Sequence, residues 1–208
     1  YWMLCRCEEI HASTYLLDKY KRFKASTSHA FRNNYLQRPI VDEWLLFFKE
    51  LIKRFSTKIN LKKQIFKIQV THDVDEPSRF KFIPKRLILK NTIKNLIKFK
   101  NINEIYLAPF IRYFSNNYLH SKDPNNTFDM LMNISEEKGH KSFFYFMTGV
   151  TNNSIDASYK INNKIIIKLL KSIHSRGHFI GLHPSYGCVE QKEHLLIEAK
   201  RLRDTCIQ

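Results

Sequence analysis

Residues 141–149, KSFFYFMTG, constrain this chain more than any other stretch, because Phe143, Phe144, Tyr145, Phe146 and Met147 follow one another without a break. The run has the length of a strand rather than a helix. Apolar side chains fall on both of its faces, as in a strand inside a parallel, covered sheet. The flanking segments agree. Residues 127–139, TFDMLMNISEEKG, predict a helix with Thr127 as N-cap and Gly139 as the first residue past its end. Residues 162–177, ending in basic residues and Gly177, predict another, HFIGLH (178–183) a short strand, and residues 190–204 a final helix. Upstream, IFKIQVT (65–71) predicts a strand and residues 84–100 a basic helix. The order strand–helix–helix–strand–helix–strand–helix predicts an α/β fold built from right-handed βαβ units.

The first part of the chain differs in character. All five glycines lie between Gly139 and Gly187. Residues 1–38 are polar and aromatic with no clean period. Residues 41–56 place Val41, Trp44, Leu45, Phe48, Leu51, Ile52 and Phe55 at helical spacing, with Pro39 before them and Asp42 and Glu43 near the start. STKINLKKQ then reads as a linker. Residues 1–62 are therefore a small, mostly helical region with its linker, and residues 63–208 the α/β domain. Trp2 and Trp44 are expected to pack. A hydrophobic content of 43% with 13% aromatics excludes global disorder.

The chemistry concentrates at strand ends. THDVD (71–75) ends a β-prone run with a histidine and two carboxylates, which are costly to bury unpaired. Asp73 and Asp75, two apart, share a side of an extended chain, and His183 ends the third predicted strand. In parallel sheets functional groups gather at the carboxyl ends of strands, so the three residues meet at one rim if the strands are neighbours. Three readings are open: a divalent metal site (Zn²⁺, Mn²⁺ or Co²⁺), an acid/base pair, or a solvated turn beside a structural histidine. A bound metal would polarise a carbonyl and lower the pKa of bound water from 15.7 toward ~7. His72 and His178 alternate away from this side, so His72 is expected to support the site from behind. Ser185 and Tyr186, beside His183, have two open readings, contact with substrate and a structural role in the turn. Cys188 lacks a base partner, so nucleophilic catalysis is not supported. The spacing of Cys5, Cys7, Cys188 and Cys206 gives neither a zinc ribbon nor a disulfide framework.

THDVD after a strand, KSFFYFMTG, and RGHFIGLHPSY before a helix occur in the order used by the polysaccharide deacetylase (NodB-like, carbohydrate esterase 4) superfamily. The chain resembles the subgroup of bacterial surface-polysaccharide loci, in which HDVD replaces T-F-D-D-G. ASTSHAFRNNYLQRPIVDEW similarly resembles the region preceding the catalytic domain there. The resemblance implies the first part of an irregular (β/α) barrel and metal-dependent removal of acetyl groups from a carbohydrate. It implies Asp73 as catalytic base, and Asp75 and His183 as ligands of a divalent metal, zinc first and Mn or Co as alternatives. The family's second metal histidine would fall at position 187, which is Gly187. A third ligand is then expected from elsewhere. Two rivals stand beside this reading: a glycoside-cleaving enzyme of the same superfamily, and a non-catalytic domain binding a glycan or lipid-linked sugar.

The balance of 35 basic against 19 acidic residues, net +16, favours anionic partners. Residues 79–100 hold eight basic residues and no acidic one, with Arg86, Lys90, Lys94 and Lys98 four apart. A lipid-linked sugar or an anionic membrane surface suits such a face, as does plain solvation in a Lys-rich chain. No nucleic-acid module accompanies it, so nucleic acid is not expected. The implied location is cytoplasmic, with membrane association through residues 79–100. The start at Tyr1 and the uncapped AKRLRDTCIQ ending are expected of a fragment.

Overall fold

A computed structural model describes the chain except residues 1, 11, 57, 63, 64, 85, 89, 91, 92, 94–102, 151–154, 190 and 208. It divides into two compact units, residues 1–66 and 67–208.

The first unit contains a one-turn helix α1 (His29–Arg32), capped by the Ser28 hydroxyl, and a long helix α2 (Ile40–Phe55). Arg38 pairs with Glu43 at the start of α2. None of the described residues of this unit is buried. Trp2 meets His29 edge-on, whereas Trp44, expected to pack, is 64% exposed and meets the ring of Phe47 on its own helix.

The second unit is mixed α/β. Its strands are β1 (Val70–Val74), β2 (Ser142–Met147) and β3 (Phe179–His183). Its helices are α3 (Asn103–Phe114), α4 (Phe128–Glu137), α5 (Lys164–Ser175) and α6 (Lys192–Ile207). The sheet is parallel throughout, in the order β1–β2–β3. β1 runs over 70–74 rather than 65–71. Val70 pairs with Ser142, the first residue of β2, so residues before Val70 have no strand to meet, and Ile65, Phe66 and Ile68 are exposed. Asp73 thus lies within the strand. α3 was invisible in the sequence because Pro109 in its interior contradicts a helix. The basic helix expected over 84–100 lies largely outside the described residues.

The pleat sorts the sheet into two faces. His72, Phe144 and Ile180 share one row, and Val74, Phe146 and Leu182 the next. Phe128 and Met132 from α4, Ile166, Leu170 and Ile173 from α5, and Leu202 from α6 join these rows in one core. Burying each such side chain contributes about 1.5–3 kcal/mol. The opposite face carries Thr71, Asp73, Phe143, Tyr145, Phe179, Gly181 and His183. There Phe143 stacks on Phe179 at 4.5 Å, yet Phe179 stays 49% exposed. The core-forming helices α4, α5 and α6 thus cover one face of a sheet whose central strand is apolar on both.

Both helix-to-strand turns are built alike. Gly139 (φ +70°) and Gly177 (φ +75°) take the left-handed conformation that spares only glycine a steric cost. His140 N–H reaches Ser135 O at 2.8 Å, and His178 N–H reaches Ile173 O at 3.2 Å. Gly139 N–H donates to Glu136 O and Gly177 N–H to His174 O, which completes two Schellman motifs. Asn163 caps α5 through Ile165 N–H, whereas Thr127 stands at the N-cap of α4 without using its side chain.

A polar network closes the amino-terminal end of the sheet. Ser142 N–H donates to His178 Nδ1 at 2.9 Å, so His178 Nε2 carries the proton toward Glu136 Oε1 at 3.0 Å. Arg176 grips the same carboxylate through Nε at 3.0 Å and Nη2 at 2.7 Å. His178 is therefore a fully enclosed structural residue at the end opposite Asp73.

Two outcomes are expected. A Cβ at Gly139 would meet nothing within 4 Å, so Gly139→Ala should cost about 1–2 kcal/mol in urea unfolding from backbone strain alone, and Gly139→Asn less. Arg176 and then His178 hold the Glu136 carboxyl down to about 2. A carboxyl lowered on folding stabilises above its unfolded value, about 4.3, and this contribution fades as pH falls toward about 2. The melting-temperature gap between the native chain and Glu136→Gln should therefore be constant from pH 7 to about 5 and close by pH 2.

Candidate functional site

The carboxyl-terminal rim of the sheet carries the candidate site. Asp73 and His183 sit on strands that flank β2 rather than on neighbouring strands, so only a side chain reaching across β2 can join them. His183 does so. Its Nε2 lies 3.8 Å from Asp73 Oδ2 and 3.8 Å from Asp75 Oδ1. Its Nδ1 lies 3.1 Å from the Pro184 carbonyl oxygen, which can only accept. Nδ1 therefore carries the proton, and in the neutral ring Nε2 presents its lone pair to the two carboxylates. A lone pair facing two carboxylates calls for a cation or a proton between them.

The donor set, two carboxylates and an imidazole nitrogen, suits a divalent cation. Zinc bonds of ~2.0–2.1 Å hold tetrahedral ligands about 3.3 Å apart, against 3.8 Å from His183 to each carboxylate. The carboxylate side chains of Asp73 and Asp75 are 63% and 65% exposed. Among the described residues, no group of three or more His, Cys, Asp and Glu side chains is placed so that it could hold a metal ion.

His72 points to the helix-covered face. Ser135 Oγ donates to Leu131 O at 3.0 Å, so Ser142 Oγ donates to Ser135 Oγ at 2.7 Å, and His72 Nε2–H donates to Ser142 Oγ at 3.3 Å. Its ring lies 4.8 Å from that of Phe144, and burial, with the nearby His178, lowers its pKa. Tyr186 is 45% exposed, and its backbone N–H donates to Asp156 Oδ1 at 2.8 Å. Ser185, a candidate substrate contact in the sequence, is 2% exposed. Its N–H donates to Glu198 Oε2 at 3.0 Å and its hydroxyl to Glu198 Oε1, so the side chain is spent on the interior. Cys188 is buried beside it, and burial raises its thiol pKa.

Four further residues shape the rim. Tyr159, 3% exposed, donates to Val74 O at 2.7 Å and accepts from Met147 N–H at 2.8 Å. It pins the peptide between Asp73 and Asp75 to the end of β2. Burial, reinforced by the Asp75 charge, pushes its phenol pKa upward. Asp123 accepts from Ser78 Oγ and from Arg79 N–H at 2.9 Å, which ties down the loop leaving Asp75. Glu198 sits so close to Gly149 that a Cβ there would lie 1.9 Å from Glu198 Oε1. Tyr145 stands in the row of Asp73, paired with it on one side and with Gly181 on the other. None of the four carries a local signal of its own; only their glycine neighbours leave a trace in the sequence, Gly149 just after β2 and Gly181 inside β3. A groove of about 1080 Å³ opens from Asp75 past Phe82, Ile155, Asp156 and Lys160.

Comparison with known families places residues 1–57 in a match to a family of unknown function (DUF7033). The match covers α1 and α2 and none of the rim. No curated protein and no solved structure matches the chain.

Tyr159→Phe would strand Met147 N–H and Val74 C=O. It should cost about 1–3 kcal/mol, read from the shift in denaturation midpoint.

Proposed function

We propose that residues 67–208 carry the metal-dependent hydrolytic site of a carbohydrate deacetylase, on the first part of an irregular (β/α) barrel. The observation that carries this reading is the approach of His183 Nε2 to within 3.8 Å of both Asp73 and Asp75 across an intervening strand. Ordinary solvated turns give no reason for three such groups to converge. The one-sided placement of α4, α5 and α6 supports the barrel. In a barrel the helices lie outside and the opposite sheet face turns inward, and here that face carries Asp73, Tyr145 and His183.

Asp75 and His183 would hold the divalent ion, zinc first, with Mn²⁺ or Co²⁺ as alternatives. When bound, the ion supplies Lewis acidity toward an acyl carbonyl and lowers the pKa of water. Asp73 Oδ2 accepts the proton of the attacking water. The Pro184 carbonyl fixes the His183 tautomer, and Tyr159 fixes the spacing of Asp73 and Asp75. The substrate is an acetylated carbohydrate lying in the groove beside Asp75, where the groove residue Asp156 holds the Tyr186 backbone N–H. A chain that binds the glycan without cleaving it is the second reading, favoured by Gly187 at the position of a second metal histidine.

Zinc binding measured by competition with a chelating dye should weaken at least ~10-fold in Asp75→Asn and in His183→Gln. In the same preparations Asp73→Asn should retain zinc and lose ~10²–10⁴-fold in acetate release from acetylated oligosaccharides. Zinc binding with no acetate released by the native chain selects the second reading. No zinc binding by the native chain ends the metal-dependent reading, and release of sugar instead of acetate ends the deacetylase reading.

A further inference from the structure

We propose that the first unit is a peripheral module that binds anionic lipid surfaces through α2 and the basic segment after it. The proposal is independent of the rim chemistry. Its first support is physical: none of the described residues of this unit is buried, and α2 is strongly amphipathic all the same. Ile40, Val41, Trp44, Leu45, Phe48, Leu51, Ile52 and Phe55 fall within roughly 140° of the helix circumference. Trp44 is 64%, Phe48 58% and Phe55 88% exposed. An apolar stripe of this width on a helix needs an apolar environment.

Charge decides which environment. The carboxylates of the helix are largely engaged already: Glu43 pairs with Arg38, and Glu50 with Lys53. From Leu51 to Phe66 the chain carries Lys53, Arg54, Lys58, Lys62 and Lys63 and no acidic residue. In the same stretch Phe55, Ile59, Ile65 and Phe66 are all more than half exposed. Apolar side chains interleaved with cations, on and just after an amphipathic helix bearing Trp and Phe, fit the headgroup–acyl boundary of an anionic bilayer.

A second copy of the chain fits less well. The unit carries thirteen Lys and Arg against six Asp and Glu, so face-to-face pairing brings like charges together. One face of a 16-residue helix, roughly 24 Å long, also falls short of the roughly 800 Å² per partner of a stable interface. Single-stranded nucleic acid would satisfy the cations and the aromatic rings. It would leave the aliphatic residues Ile40, Val41, Leu45, Leu51 and Ile52 without an apolar phase.

The test uses the full 208-residue chain carrying Trp2→Phe, which leaves Trp44 as the only tryptophan. It is titrated with phosphatidylcholine vesicles and with vesicles containing about one-third phosphatidylglycerol. The expected result is a blue shift of Trp44 emission and at least ~10-fold stronger partitioning with the anionic vesicles. Phe48→Ser with Phe55→Ser should reduce partitioning at least ~10-fold. Lys58→Glu with Lys62→Glu should abolish the preference for anionic lipid. All four positions are exposed, so circular dichroism should be unchanged. Equal partitioning to both vesicle types overturns the proposal, as does an unshifted Trp44 emission. So does binding to an oligothymidine strand without binding to vesicles, or a concentration-dependent dimer in which vesicles leave Trp44 unchanged.

Discussion

Everything at the rim depends on the parallel register of β2 against both of its neighbours. Asp73 pairs with Tyr145, and Met147 with His183. A slip of one residue in either pairing would turn Asp73 or His183 to the helix-covered face. The register is held from both ends. At the amino-terminal end, Ser142 N–H bonds to the enclosed imidazole of His178, which Glu136 and Arg176 hold in turn. At the carboxyl-terminal end the Tyr159 hydroxyl joins Val74 to Met147. Between them Phe144 and Phe146, fully buried, leave no freedom to the central strand.

The rim residues are positioned by links between side chains and backbone groups, of which those of Glu198 and Asp123 are buried and that of Pro184 is exposed. Pro184 sets the tautomer of His183, Glu198 anchors Ser185 two residues further on, and Asp123 anchors the loop after Asp75. Each is a short link between a backbone group and a side chain rather than an exposed ion pair. Such links stay strong where water is excluded and cannot swap partners. The exposed carboxylates of Asp73 and Asp75 thus stand on a rigid base and keep their own side-chain freedom.

Much of this was legible in the residues. The Phe-rich run of β2, the helices around it and the turn glycines Gly139 and Gly177 each carry a local signal that tertiary packing did not override. Asp73, Asp75 and His183 were legible as a group because strand ends collect functional side chains. What escaped depends on contacts distant in sequence. β1 begins at Val70 because of where β2 begins, which Ile65 and Phe66 cannot reveal. Glu198 reads as an ordinary charge on a polar helix until the fold turns it toward Ser185. Trp44 was read as a packing residue because its spacing is that of a core helix, and spacing cannot say whether a partner surface exists.

One close contact on the open sheet face reaches beyond the site. A Cβ at Gly181 would lie 2.4 Å from Tyr145 Cδ1, so the ring edge occupies the volume a side chain at 181 would need. Positions 145 and 181 therefore form a single steric unit divided between two strands. Their substitutions should be non-additive: a larger residue at 181 is intolerable beside tyrosine and tolerable once position 145 is small. Evolutionary drift at this floor would have to proceed first through loss of the ring, and only then through gain of a side chain on β3.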